Sequence, residues 1–166
     1  MFFIKKIKNM KILTIYASIH HENTKKIARA IHEEIGGKLT CFNEVSTEDI
    51  LEADLVGFGS GIYLAKFHKG LLELVKNLPT VNGKKCFLFS TAGMSQNIIF
   101  NRGHKSIKKI LKDKNFKIVG EFDCLGYDTY GPLSLIGGIN KGRPDKKDLD
   151  EAKRFGQKLI QKENEN

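Results

Sequence analysis

The chain of 166 residues has no tryptophan and only three cysteines. Cys41, Cys86 and Cys124 are far apart and form no CxxC pair, so neither a zinc site nor a dithiol redox centre is indicated. Each falls in a strand-like segment, which reads as a buried thiol in a reducing cytoplasm. No apolar run approaches the roughly 20 residues that span a bilayer. No Gly-Lys-Ser/Thr and no GxGxxG is present, which removes the Walker loop and the dinucleotide fingerprint. None of the five histidines pairs at the i, i+4 spacing of a helical metal site. There are no internal repeats and no low-complexity segment.

Acidic residues are the scarcer sign, 19 against 28 lysines and arginines, for a net charge of +9. That balance suits acidic partners or anionic ligands, and equally a solvated lysine surface. Aromatic residues are not interleaved with the basic ones, so nucleic acid is not indicated. The length fits a single domain burying roughly 70% of the surface its unfolded chain exposes. Residues 1–9, MFFIKKIKN, read as an N-terminal extension to a domain over 10–163. Their apolar-before-basic order is wrong for a signal peptide. The segment fits a disordered or packed tail, or a short membrane-surface anchor, with Met10 as an alternative start.

Five near-continuous apolar runs, at 11–17, 38–42, 53–59, 84–90 and 116–122, suit strands covered on both faces, as in a parallel sheet. Helical stripes separate most of them: Ile27, Ala28, Ile31 and Ile35; Leu71, Leu74, Val75 and Leu78; Ile107, Ile110 and Leu111; and finally Leu149, Ala152, Phe155, Leu159 and Ile160. Between the second and third strands there is room for only a turn or two of helix, opened by a capping-box cluster from Ser46 to Asp49. This alternation predicts an α/β fold, an open parallel sheet with helices on both faces. Such sheets bind ligands beyond the carboxyl ends of their strands, where strand order reverses.

The segments after the strands therefore matter most. After the first comes Ser18-Ile19-His20-His21-Glu22-Asn23-Thr24, then Lys25 and Lys26 in the first helical turn. Hydroxyls, an amide and free N–H groups at a helix start make a ready seat for a phosphate, and a bound dianion would offset the two lysines. The plainer reading makes Asn23 or Thr24 an N-cap with the lysines in water. After the third strand, Gly59, Ser60 and Gly61 permit close approach of a flat ligand, with Tyr63 beside them. After the fourth comes Ser90-Thr91-Ala92-Gly93. A phosphate-accepting receiver domain shares the topology but needs carboxylates where this chain has Ala17-Ser18 and Gly59-Ser60. The connection over 126–144 is long and rich in glycine and proline, a length that usually marks function or disorder.

The loop S-x-H-H-x-N-T, the run DLVGFGSGIY and the run FSTAG together resemble the flavodoxin family, over about residues 11–161. The first resembles the family's phosphate loop with one extra residue, the second and third its two flavin loops. The resemblance implies one domain with a five-stranded sheet in the order 2-1-3-4-5 and noncovalent FMN. By position, Ser18, Ile19, His20, Asn23 and Thr24 would hold the phosphate. Ser60, Gly61, Ile62 and Tyr63 would line one side of the isoalloxazine, and Thr91, Ala92 and Gly93 the other. Tyr127, Asp128 and Tyr130 would close over the ring edge. With no tryptophan to stack on the ring, Tyr63 would have to serve. Glu22 departs from the family by standing where glycine is frequent, beside the expected dianion.

The function so implied is electron transfer in the cytoplasm, with acidic, ferredoxin-like redox partners suited to the basic surface. That surface predicts a flavin potential less negative than that of an acidic flavodoxin. Two alternatives stay open: an FMN-dependent oxidoreductase acting on a quinone or protoporphyrinogen-like substrate, with the 126–144 loop as a lid, and a flavin-free binding module on the same fold.

Overall fold

A computed structural model describes residues 10–19, 21–94 and 97–165. The expectation for residues 1–9 lies outside the described residues. The chain runs β1 (Ile12–Ala17), α1 (Asn23–Ile35), β2 (Lys38–Cys41), α2 (Thr47–Glu52), β3 (Leu55–Tyr63), β4 (Lys66–Phe67), α3 (Lys69–Asn77), β5 (Lys85–Ala92), α4 (Asn97–Asp113), β6 (Lys117–Leu125) and α5 (Lys146–Glu165), with a 3₁₀ helix over Gly131–Ile136 before α5.

The sheet order is β2-β1-β3-β5-β6, all parallel. This is the expected 2-1-3-4-5 order. The two-residue β4 adds a strand by pairing antiparallel with the end of β3. Strand order reverses between β1 and β3, so the crevice beyond their carboxyl ends is where a ligand belongs.

Alternating strand residues feed two cores, one on each face of the sheet. Leu13, Ile15, Val56, Phe58, Cys86 and Leu88 pack with Ile50 of α2, Leu71 and Val75 of α3 and Ile107 and Leu111 of α4. Ile12, Leu55, Phe87, Phe89 and Cys124 pack with Ile27 and Ile31 of α1 and Ala152, Leu159 and Ile160 of α5. All four helical stripes read from the sequence supply these cores. Ser46 caps α2 in a reciprocal box: its hydroxyl accepts from the Asp49 N–H at 3.1 Å, and its own N–H donates to the Asp49 carboxylate at 3.3 Å.

Two differences from the sequence reading have physical causes. β6 is an edge strand with several half-buried or exposed residues, so an apolar run did not require cover on both faces. Cys41 sits on the other edge strand and is half-buried, whereas Cys86 and Cys124 are buried. Burial pushes the Cys86 thiol up to about 12.

Candidate functional site

β3 runs on to Tyr63 and β5 to Ala92, because Ser60↔Ser90 and Gly61↔Thr91 continue their pairing. Residues expected in loops thus sit on strand ends. Their alternation decides which of them face the crevice. Gly59 does not. Its missing Cβ makes room for the ring of Phe89, which an added methyl would meet at 1.9 Å. Gly57 serves Phe87 in the same way, at 2.2 Å. Ser60 is fully buried and turned into the fold. Its hydroxyl donates to the Gly61 carbonyl at 2.6 Å and accepts the His68 N–H at 2.8 Å. Only Gly61 of that small-residue run borders open space.

A cavity of about 260 Å3 lies at the sheet's carboxyl edge, lined by Asn23, Thr24, Gly61, Ile62, Tyr63, Leu64, Thr91, Ala92, Gly93, Tyr127, Asp128 and Tyr130. The sequence reading brought all of these together except Leu64. Leu64 forms the tip of the β3–β4 hairpin at φ 48, next to Ala65 at φ 58. Two successive left-handed residues give the tight hairpin turn usually built from Asn-Gly, so nothing in the local sequence announced it. His20 lies outside the described residues. Ser18 and Ile19 are in the segment leading to α1 but not in the cavity lining.

The turn into α1 is built from left-handed backbone. His21 and Glu22 both have φ 53, a conformation costly for residues with a Cβ. That explains why glycine suits the position of Glu22. The Glu22 carboxylate turns onto Lys25 at 2.6 Å, and the hydrogen bond from Lys25 holds its pKa below the usual carboxylate range. Lys25 is thus neutralised from within the loop, and Lys26 is exposed. Glu22, the N-cap residue of α1, makes no side-chain cap hydrogen bond. Thr24 instead reaches across to β5, its hydroxyl 2.9 Å from that of Thr91, both buried. The Asn23 amide donates to the Tyr127 carbonyl at 2.7 Å. Among the described residues, the Ser18 hydroxyl and the Asn23 carbonyl oxygen are buried without a hydrogen-bond partner. Buried polar atoms are rarely left so.

Tyr63 lies over Gly61, where an added Cβ would come 2.7 Å from the phenol oxygen. Burial raises its pKa, opposed by a hydrogen bond with the Ile19 backbone. The phenol therefore bridges the second loop to the first.

The 126–144 connection is fastened on several sides. Asp128 and Ile139 form a β-bridge. The Tyr127 hydroxyl donates to Gly137 at 2.9 Å. His21 Nε2 is 2.8 Å from the Thr129 hydroxyl, and its ring lies 4.3 Å from that of Tyr127. The Asn140 amide donates to Gly93 and Gly126 carbonyls. At the far end Arg143 grips Asp148 with two 2.5 Å contacts, and Asp145 and Asp148 cap α5 reciprocally. These contacts set Asp128 against Gly93, with one carboxylate oxygen accepting the Tyr130 N–H at 2.8 Å. Asp128 is the one ionisable acid or base side chain, tyrosines aside, among the described residues lining the cavity.

Behind the third loop, away from the cavity, Ser90 Oγ is 2.8 Å from His104 Nε2, and His104 Nδ1 is 2.7 Å from Glu121. The carboxylate only accepts, so Nδ1 donates to it. Lys108 completes the chain at 2.5 Å from the other Glu121 oxygen. Ser90 is wholly buried, so this serine–histidine–glutamate row is closed to substrates and fastens α4 to β5 and β6.

A family model for the flavodoxin domain matches residues 13–127. The chain belongs to the flavodoxin family. An uncharacterised protein of Methanocaldococcus jannaschii is 43% identical over 91% of this chain and 99% of its own length. Among solved structures, a flavodoxin from the domain Archaea superposes with a TM-score of 0.63 at 21% identity, over 92% of this chain and 98% of that one. Oxidised Flavodoxin 2 from Bacillus cereus gives 0.68 at 18% identity, over 92% and 99%. The cavity of this flavodoxin-family chain thus lies where the fold places ligands, and its walls come from the three motifs that carried the sequence resemblance together with Leu64 and the 126–144 loop. No helix among the described residues is long and apolar enough to cross a membrane.

Proposed function

We propose that the protein binds FMN in this cavity and carries electrons between redox proteins in the cytoplasm. The observation that carries the reading is the convergence of three strand ends on one crevice whose small residues leave a slot at the switch point. The residues fit the cofactor. The orphaned Ser18 hydroxyl can donate to a phosphate, and the orphaned Asn23 oxygen can accept from a ribityl hydroxyl. The α1 N-terminus offers unpaired N–H groups to the same phosphate. Gly61 and Gly93 let Tyr63 and Asp128 lie close against the strand ends, and Tyr63 and Tyr130 supply flat faces.

FMN, when bound, supplies the electron chemistry. The chain positions it and sets its potential. The basic surplus that the sequence suggested would raise the potential lies outside the lining, whose only charged side chain among the described residues is Asp128. Exposed charges farther away than about 8 Å are largely screened at physiological ionic strength. Asp128 is the charge set against the flavin's seat, and it works to hold the potential down.

The fastenings of the 126–144 loop favour a fixed wall over a substrate lid, which supports a carrier over an enzyme with its own substrate. Purified protein reconstituted with FMN and reduced anaerobically tests the reading. The expected result is one tightly held flavin per chain that does not oxidise NAD(P)H with a quinone unless a reductase is added. Failure to retain FMN would leave the flavin-free module, and rapid unaided turnover would make the protein an oxidoreductase.

A further inference from the structure

The positive charge of this chain is not spread evenly over its helices. α4 holds five cations, Arg102, Lys105, Lys108, Lys109 and Lys112, and one acid, Asp113, at its last position. α5, by contrast, alternates six cations with five acids. On α4, Lys108 is taken by Glu121. Arg102, Lys105, Lys109 and Lys112 are exposed and have no ion-pair partner among the described residues. Their spacing of three, four and three residues puts them on one face, in a row about 15 Å long. Like charges at this spacing repel and weaken the helix that bears them. Apart from Lys112, which complements the dipole at the C-terminal turn, the row gives the helix no pairing of its own.

The row begins beside the cavity. Gly103 lies against Ile62, where a Cβ would come 2.4 Å from the isoleucine Cδ1. The Phe67 N–H donates to Ser106 at 3.3 Å, which holds the β3–β4 hairpin on α4. The tip of that hairpin is Leu64, 86% exposed and in left-handed backbone. Met94, in the segment before α4, is half exposed. The hairpin thus holds a leucine in water on sparsely populated backbone, beside a second exposed apolar side chain at Met94.

We propose that this face docks an acidic electron-carrier protein. Carboxylates of the partner pair with Arg102, Lys105, Lys109 and Lys112, and an apolar contact forms on Leu64 and Met94 at the mouth of the cavity. A cationic row that ends in an apolar contact suits the mixed surface of a folded acidic protein, and competition by duplex DNA tests the nucleic-acid alternative. The inference rests on the carrier reading for its purpose, but docking itself is readable without flavin.

The test uses isotope-labelled protein, with and without FMN, titrated with an acidic ferredoxin at low ionic strength. The expected shifts map to α4 and to Leu64, and salt abolishes them. Replacing the row together (R102Q, K105Q, K109Q and K112Q) weakens binding about tenfold or more. Removing the same charge from α5 (K146Q, K147Q, R154Q and K158Q) changes it by less than about threefold. Unaltered circular dichroism and a cooperative melt at or above that of the unsubstituted protein show that both variants fold. The proposal is overturned if the two variants lose affinity equally, if the shifts map elsewhere, if the ferredoxin does not bind, or if duplex DNA competes for α4 more tightly than the ferredoxin. Docking by a chain that fails to retain added FMN would sustain this surface and remove the carrier reading instead.

Discussion

The hydroxyl pair of Thr24 and Thr91 joins the start of α1 to the end of β5 across the cavity wall, and its energetics can be worked out in advance. The oxygens are 2.9 Å apart and the two residues are 2% and 3% exposed. Valine replaces a hydroxyl by a methyl of similar shape. Thr24→Val alone leaves the Thr91 hydroxyl buried without a partner, and Thr91→Val does the reverse. Each single change should cost about 1–3 kcal/mol, the penalty for a stranded polar group. In the double variant nothing is stranded, so its loss should fall short of the sum by at least about 1 kcal/mol. Urea unfolding of the four proteins measures this coupling. In a domain of this size each kcal/mol also moves the melting temperature by roughly 2–4 °C. FMN affinity separates the two positions. If Thr24 also donates to the phosphate, Thr24→Val should weaken FMN by about tenfold or more, and Thr91→Val should weaken it less. Losses that add to within about 0.5 kcal/mol would refute the stranded-hydroxyl argument.

Glu22→Gly removes a carboxylate from the phosphate loop, frees Lys25 and relaxes a left-handed residue; FMN should bind several-fold tighter, measured by fluorescence quenching, and weaker binding would show that the Glu22–Lys25 clamp shapes the seat. Gly59→Ala drives a methyl into the Phe89 ring and should cost about 1–3 kcal/mol, partly recovered by adding Phe89→Leu. Asp128→Asn should raise the reduction potential of bound FMN by about 60 mV, the one-electron equivalent of a tenfold change, and an unchanged potential in a redox titration would remove Asp128 from the electrostatic account. Burial works to raise the Glu121 pKa, but hydrogen bonds from Lys108 and His104 and their charges outweigh it and leave it lowered. A lowered carboxyl contributes stability above its unfolded pKa and loses it as pH falls through the folded value. Glu121→Gln should therefore make stability less sensitive to acid in that range, as followed by urea midpoints across pH.

Hydrophobic period alone settled most of the architecture. Ile27, Ile31 and Ile35, or Leu71 and Val75, repeat at helical spacing, and each run of apolar residues between such stripes became a parallel strand. The turn chemistry at Ser46 and Asp49 was equally local and equally readable. These features are legible because each depends on residues a few positions apart. The three loop motifs likewise pointed to the crevice, since the fold puts consecutive strand ends side by side.

What the sequence could not decide is where neighbouring strands come to lie and which face each strand residue takes. Gly59 reads as room for a ligand, yet Phe89 of the adjacent strand fills that room. Ser60 reads as a polar wall, yet strand alternation turns it into the fold. Leu64 gave no signal, because a leucine in a left-handed hairpin turn breaks the local rule. The 126–144 loop was visible as a length, but its fastening through Asn23, His21, Asn140 and Arg143 depends on partners up to 108 residues away. The charge balance was a sum over the chain. Only the helix faces and their neighbours show which charges pair and which, like the row on α4, line up on one exposed face. Pairwise contacts across the sheet are set by register and crossover, and these are properties of the assembled chain, not of any one segment.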